Sequence, residues 1–566
     1  VSGEQVWARR HPANGLVRDE TPVGVGANRR FAYVAGTKYL SNTTSVFEIV
    51  KYRPHGEGVM GNIEASFSWP SLTKPNHVAR TAVAAALVLG EELPNSDRDM
   101  YCYVTGYQPT SIGMRIVTVA TYSGDPVDPL LPAAPIQLLW SAFENLTDDP
   151  NEIIRDEYPV AIVADDAHVV VIGKSYTAST GWDIVCYAYD ATTGARIAPA
   201  LRYPTVTGSN EVPVGGVLTK TANADPAIVV AATVDGGGPE DHHRILLAGW
   251  QIKDNPNAVP LPTYAGTPLQ SAIVRQELTP ATYRESDIAK GISAPAPNVV
   301  LVEPKFAVTG TRYHEFRPGM GPQGLHTDFV TGVYGVPTGV APPGTCGVIT
   351  EDWVQTFDYL ANNIPNFTSD AEDAAAVLIH LTSGTDNFTR ARVTVTGTTQ
   401  SPTDSHPRIG AVSYYLAGAA PSASQAEWFG RYEPNPLVTP YIGEFGAIAM
   451  TASDPVGVQS GPTSRLFIAG FGSRVVDGSW NRDQVSICFG TQGLVLPEQA
   501  PVERGPVWAK EYQDPLVDMN GEDIPTGISL HNDMSPMIPG GAGLFMTGRS
   551  DSASRGRDWV TRRINP

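Results

Sequence analysis

Helical pattern is what this sequence lacks most. Across its 566 residues, no long stretch sets Lys, Glu and Leu at the spacing that builds an amphipathic helix. Charge is sparse, at 17% of residues, and unbalanced, with 39 Lys and Arg against 58 Asp and Glu for a formal net charge of -19. No basic stripe interrupts the acidity. This argues against a protein that coats nucleic acid, because such binding draws on clustered cations. The acidity reads first as a means of keeping a large surface from nonspecific association. Cysteine is nearly missing: Cys102, Cys186, Cys346 and Cys488 are scattered and form no CxxC pair. That argues against a disulfide scaffold and against a zinc site. Cys102 and Cys186 stand inside apolar runs and are expected to be buried, whereas Cys346 and Cys488 remain able to pair across the fold. No apolar run approaches the roughly 20 residues that a spanning helix needs, so no transmembrane segment is expected. GxSxG, the P-loop and a GxGxxG set between strand and helix are missing, and Asp-rich turns such as "NLTDDPNE" lack the spacing of a calcium loop.

What is present is turn and strand material. The 55 Gly and 48 Pro, with frequent Thr, Val and Tyr, suit many short strands joined by tight turns and give an all-β class. A short apolar strand ending in a small residue then recurs eight times: "FAYVAGTKY", "YCYVTGYQ", "VVVIGKSY", "IVVAATVD", "FAVTGTRY", "VTVTGTTQ", "LFIAGFGS" and "LFMTGRSD". The small residues are Gly36, Gly106, Gly173, Ala232, Gly310, Gly397, Gly470 and Gly548, spaced about 59 to 87 apart, a propeller-like period with enlarged loops. A small-residue strand precedes many copies ("PVGVGA", "AVAAALVLG", "YPVAIVAD"), as suits strands crowded toward an axis, and a third strand follows each. An outer strand comes next, often marked by tryptophan at Trp69, Trp140, Trp353, Trp428 or Trp508. The third and fourth units lack the tryptophan, and Tyr203 is expected to stand in for it in the third.

Four antiparallel strands per unit make a β-propeller blade, and eight units predict a single eight-bladed propeller spanning residues 1–566. Blades one to seven fall between about 20 and 515. The last blade runs out of sequence after "DWVTRRIN", and "EQVWARRH" at the N-terminus supplies its outer strand, with Trp7 in the tryptophan place. Blade eight is therefore split between about 1–12 and 520–566, closing the ring by backbone pairing.

These units resemble the secreted bacterial β-propeller repeats of the SBBP-like type, on the "YVTGY" strand and the tryptophan-marked outer strand. Blade four departs from that pattern at Ala232. The resemblance implies an exported or surface protein without an assigned reaction, located extracellularly, at the cell surface or in the periplasm. The opening Val1 in place of Met fits a removed signal peptide, or equally a trimmed chain. Four sequons begin at Asn42, Asn145, Asn366 and Asn387. The turn "AYDATTGARI" is similar to one in eight-bladed quinoprotein dehydrogenases, but the adjacent cysteines common there are missing.

By fold-level analogy, function is expected at the end where the loops between blades meet those between second and third strands. Candidate partner-binding residues follow from the long polar loops. Blade four offers "GGGPEDHHR" with Asp241, His242 and His243, where adjacent imidazoles on a strand point to opposite faces and cannot easily share a metal. Blade five offers "RYHEFRPGMGPQGLHTD" with His314, Arg317 and His326, and blade six "SPTDSHPR" with Asp404 and His406. Trp480 in "VVDGSWNRD" reads as a loop residue able to form a contact surface, whereas the outer-strand tryptophans read as core. Ordinary turns and solvated loops are the commoner account of such polar stretches. No cofactor is expected, and no catalytic or metal-ligating residue is assigned.

The sequence therefore reads as a non-catalytic binding or structural module for a protein or glycan partner. Loop growth near 253–284 and 359–371 supports this, since such insertions tend to gather on a binding face. The alternatives are an enzyme at the channel mouth (hydrolase, lyase or quinoprotein-like dehydrogenase), which a convergence of His314, His326 and His406 would favour, and a building block of a multisubunit assembly.

Overall fold

The computed structural model describes residues 3, 5–11, 20–28, 31–41, 43–52, 63–70, 82–90, 101–111, 113–124, 135–144, 154–178, 180–197, 200–203, 210–222, 224–235, 243–252, 272–273, 283–295, 303–316, 326–337, 346–357, 372–383, 389–400, 407–416, 426–432, 445–453, 465–476, 479–490, 502–512, 522–531, 543–552 and 556–564. Among them the regular structure is entirely strand. The strands pair into eight antiparallel sheets that are the blades of an eight-bladed β-propeller. By contact the chain forms two compact units, Val1–Gly208 with Ile252–Gly266 and Gln513–Pro566, and Ser209–Gln251 with Thr267–Tyr512.

The first unit holds blades eight, one, two and three. The N-terminal strand β1 (Gln5–His11) is followed by blade one, β2 (Glu20–Ala27), β3 (Ala32–Ser41), β4 (Thr44–Tyr52) and β5 (Ile63–Trp69). Blade two is β6 (Val83–Leu89), β7 (Tyr101–Pro109), β8 (Met114–Tyr122) and β9 (Gln137–Phe143). Blade three is β10 (Ile154–Ala164), β11 (His168–Thr177), β12 (Gly181–Asp190) and the two-residue β13 (Leu201–Arg202).

The second unit holds blades four to seven. These are β14 (Glu211–Lys220), β15 (Pro226–Asp235), β16 (His243–Gln251) and β17 (Ala272–Ile273); β18 (Tyr283–Ser293), β19 (Lys305–Phe316), β20 (His326–Gly335) and β21 (Thr350–Phe357); then β22 (Asp373–Ser383), β23 (Thr389–Gln400), β24 (Pro407–Tyr415) and β25 (Ala426–Tyr432). Blade seven is β26 (Phe445–Ala452), β27 (Arg465–Val476), β28 (Ser479–Gly490) and β30 (Trp508–Tyr512), and β29 (Val502–Arg504) leaves it to add a parallel fifth strand to β25 of blade six.

Blade eight, in the first unit, is β31 (Asp523–His531), β32 (Gly543–Ser552) and β33 (Gly556–Ile564), completed by β1 in the order β1-β33-β32-β31. Trp7 pairs in register with Arg563. Its indole packs 5.7 Å from the Tyr52 ring of blade one and 6.0 Å from Phe545, so the clasp is made by a core side chain as well as by backbone.

The signature small residue has a geometric cause. In all eight blades the first strand carries a β-bulge immediately past the partner of that residue: between Pro22 and Gly24, Ala84 and Ala86, Pro159 and Ala161, Pro213 and Gly215, Ala289 and Gly291, Ala374 and Ala376, Ala447 and Ala449, and Pro525 and Gly527. A bulge sharpens the local twist and pushes the inner backbone toward its neighbour. A Cβ on Gly310 would lie 2.4 Å from the Ile288 carbonyl of the same blade and 2.5 Å from Ile245 of blade four. The same two-sided squeeze holds at Gly106, between Val83 O and Phe47 of blade one. Thus a third-strand side chain of one blade (Trp559, Phe47, Ile116, Ile245, Phe329 or Ile409) fills the space above the signature glycine of the next.

The residue after the signature small residue then serves the bulge. Thr37, Thr233 and Thr311 each accept a hydrogen bond from the backbone N–H at the bulge of the following blade, at Ala84, Ala289 and Ala374 (2.9, 3.0 and 3.0 Å). These amides would otherwise lack a partner in a buried seam.

Two expectations about side chains need correction, and the open pairing of Cys346 with Cys488 is decided. Cys346 and Cys488 are free and buried; the first packs in the core shared by blades four and five, the second opposite Trp508 in blade seven, so packing holds them in different layers. Trp7, Trp140, Trp353, Trp428 and Trp508 occupy equivalent, buried places on their outer strands, but Trp69 pairs opposite Phe47 at the other strand end. Tyr203 likewise bonds through its N–H to Ile184 O at that other end and does not take the tryptophan's place.

The quinoprotein-like turn has a packing role here. Asp190 accepts from the backbone of Thr192 and Thr193, and Gly194 follows in the left-handed region at φ 69°. Trp140 of blade two lies against Gly194, so close that a Cβ there would come within 2.4 Å of the ring, and the indole donates to Ala191 O at 3.2 Å. The four sequon asparagines, residues 359–371 and most of 253–284 lie outside the described residues.

Candidate functional site

The residues singled out from the polar loops are placed unevenly. Asp241, His242, Arg317, Asp404 and His406 lie outside the described residues. His314 and His326 are brought together in backbone register, as partners at the end of the β19–β20 hairpin. His243 opens β16, with its Nδ1 2.7 Å from Oδ1 of its register partner Asp235. Trp480 is not a loop residue: it is the second residue of β28, paired with Val475. Strands β27 and β28 pair as far as Val476 and Ser479, and the Asp-Gly pair between them is the sequence signal for such close pairing. Among the described residues no three His, Cys, Asp or Glu side chains gather where they could hold a metal ion.

What the structure assembles instead is an aromatic cluster in the first unit, at the strand ends beside the turns between second and third strands. Tyr107 near the end of β7 meets Tyr158 of β10 edge-on at 5.0 Å. Tyr158 lies 5.9 Å from Trp182 of β12, and Tyr176 of β11 stands 5.2 Å from the same indole. The Lys174 ammonium sits 4.5 Å over the Trp182 ring. All five side chains are half-buried.

Register explains the gathering. Asp156, Tyr176 and Trp182 form one cross-strand row of blade three, and Tyr158, Lys174 and Ile184 the next but one, so both rows share a sheet face. Gly181, at φ 89°, makes the turn that presents Trp182. That turn is braced by its own side chains: Thr180 N–H donates to Thr177 Oγ1 (3.1 Å), and the Thr180 hydroxyl donates to Asp183 Oδ2 (2.6 Å).

Burial is the main cause that raises the Tyr107 and Tyr158 phenols above their ordinary range, helped by Tyr39 beside Tyr107 and by Asp156 and Tyr107 beside Tyr158. Both therefore stay protonated near neutral pH, as hydrogen-bonding rings and not as bases. Asp156 also accepts from the Met114 amide of blade two at 3.0 Å, tying the two blades at this end. Tyr39, Tyr107 and Tyr176 each stand one to three positions after a signature glycine ("GTKY", "TGY", "GKSY"), a signal that sequence reading passed over in favour of long loops.

Beneath these turns lies a second feature that sequence reading missed. Two residues before the bulge-flanking Pro or Ala, six blades carry a carboxylate: Glu20, Glu157, Glu211, Asp287, Glu372 and Asp523, none more than 4% exposed. The pattern is legible as acid-x-(Pro/Ala)-x-(Gly/Ala). Where partners are resolved, each group joins the inner strand to the rest of its blade. Glu157 accepts from Tyr187 OH (2.7 Å) and from Arg202 of the outer strand (3.2 Å). Asp523 reaches Arg562 at 3.5 Å, and Arg562 donates to Gln5 of β1 at 2.9 Å. Glu157, the neighbour of Tyr158 in β10, is such a strut beside the aromatic cluster.

No protein-family model matches the chain, and no curated protein matches it. Among solved structures, it is similar to Sqt1 from Chaetomium thermophilum (11% identity over 83% of this chain and 97% of that one, TM-score 0.35). It is also similar to a Trypanosoma rangeli sialidase in complex with sialic acid (7%, 99% and 87%, TM-score 0.31). A third is the α-L-arabinofuranosidase Arb93A from Fusarium graminearum in complex with an iminosugar inhibitor (9%, 64% and 98%, TM-score 0.29). Likeness at this level carries no statement about activity.

Proposed function

We propose that the chain is a non-catalytic, exported propeller that binds a protein or glycan partner in the extracellular space, at the cell surface or in the periplasm. The observation that carries this reading is the half-buried cluster of Tyr107, Tyr158, Tyr176 and Trp182 at one end of blades two and three. Rings fixed against one another and only partly covered offer contact area at small entropic cost, which is what a recognition surface needs. The test compares labelled protein with its Trp182→Ala and Tyr158→Ala variants for attachment to whole cells and envelope fractions of the organism that makes it. Folded variants that lose attachment support the reading; attachment equal to wild type removes it.

Assembly of copies is a second reading with its own observation. Outer strand β9 exposes Leu138, Leu139 and Phe143 (45%, 40% and 40%), and it is the only described outer strand of five or more residues without a charged side chain. Charge is the usual guard on such an edge. Sedimentation at rising concentration decides this: a monomer throughout excludes assembly through β9.

A further inference from the structure

Resting on the reading of the aromatic end as a binding face, we propose that its ligand is a neutral glycan. A sugar ring has two kinds of surface, a face of polarised C–H groups and a rim of hydroxyls that both donate and accept. The cluster matches both. The electron-rich faces of Tyr107, Tyr158, Tyr176 and Trp182 attract polarised C–H groups. Around them stand a donor, the Lys174 ammonium, an acceptor, the Asp156 carboxylate, and phenol hydroxyls that act as either.

Other ligand classes fit less well. A cation would be drawn to the indole face, but Lys174 already lies over that ring and would repel it. An anion gains from Lys174 but meets Asp156 two register rows away on the same sheet face, in a chain of net charge -19. An aliphatic peptide anchor would want an aliphatic pocket, whereas the rings here are joined by polar groups; the exposed aliphatic side chains Leu138 and Leu139 belong to β9. Because the rings come from two blades fixed by Asp156 on the Met114 amide, the surface is preorganised and spans more than one sugar unit's worth of side chains.

The experiment follows Trp fluorescence and binding heat as the full chain is titrated with neutral hexasaccharides of glucose, xylose, mannose and N-acetylglucosamine. Oligogalacturonates and an array of extended peptides are run in parallel. Saturable binding of a neutral oligosaccharide is expected, weakened at least about tenfold by Trp182→Ala and by Tyr107→Ala, with Tyr158→Phe as a variant that keeps the ring and the fold. Near-UV circular dichroism checks each variant. Binding of the acidic sugars alone overturns the neutral class. Binding of peptides alone, through Trp182, overturns the glycan inference while the binding face stands. If nothing binds through Trp182, both fall.

Discussion

The guanidinium of Arg312 forks onto both carboxylate oxygens of Asp287, with Nε 2.8 Å from Oδ1 and Nη2 3.0 Å from Oδ2, and neither side chain is exposed. Arg312 Nη1 continues to the Thr356 hydroxyl on the outer strand at 3.0 Å, so one ionic strut crosses blade five from its inner to its outer edge. Removing one partner leaves a buried charge alone. Asp287→Ala is expected to lose about 3–5 kcal/mol of stability in urea unfolding, while Asp287→Leu combined with Arg312→Met recovers most of it. A loss below about 1 kcal/mol for the single variant would show the pair is not a strut.

Gly310→Ala tests the inter-blade squeeze. The new methyl would stand 2.4 Å from Ile288 O, a backbone atom that cannot swing aside. A cost of about 1–3 kcal/mol is expected. Gly505→Ala, with nothing within 4 Å of the added atom, should change stability by less than about 0.5 kcal/mol. Equal effects at the two glycines would refute the packing account of the signature.

The clasp makes a further prediction. Trp7 is 7% exposed and lies between Tyr52 and Phe545. Trp7→Ala should cost about 3–5 kcal/mol, and deleting residues 1–11 should cost more, because it also bares the edge of β33. Unchanged thermal unfolding of the deletion variant would mean that blade eight does not depend on β1.

His380 gives the pH dependence. It is buried in β22 with Nε2 2.8 Å from Thr394 Oγ1. Burial, helped by the Arg392 guanidinium and opposed by a hydrogen bond to the Leu381 backbone, holds its pKa down to about 4. The native state thus keeps the ring neutral while the unfolded chain protonates it near pH 6.5. The sign follows: stability is full above about pH 6.5 and falls progressively toward pH 4, by at most about 3 kcal/mol from this group. Urea unfolding at several pH values should show a shallower acid slope for His380→Asn. Parallel slopes for the two proteins would remove His380 from the account.

How much was legible differs between fold and site. The eight signature strands, the small-residue inner strands and the split last blade were readable, because alternation and repeat period are local properties of the chain. Trp480 reads as a loop residue only if the Asp-Gly pair in "VVDGSW" is passed over as a hairpin signal, whereas β27 and β28 pair as far as Val476 and Ser479. The aromatic cluster was not readable, since Tyr107 and Tyr158 are far apart in sequence and meet only when blade two stacks on blade three. The polar loops drew attention by composition, yet most of their candidates lie outside the described residues.

The sequence by itself determined that the chain is an eightfold repeat of four-stranded blades, closed by the strand around Trp7, because every blade needs the same pattern to bury its faces. Only the tertiary structure decided the rest. It showed that the glycine yields to a side chain of the preceding blade, that buried carboxylates two residues before the bulge brace their blades, and that Cys346 and Cys488 lie in different blades. It also brought Tyr107, Tyr158 and Trp182 into one surface. The physical reason is that these are contacts between strands distant in the chain, fixed by register and stacking, and no local pattern encodes which side chains stacking will bring face to face.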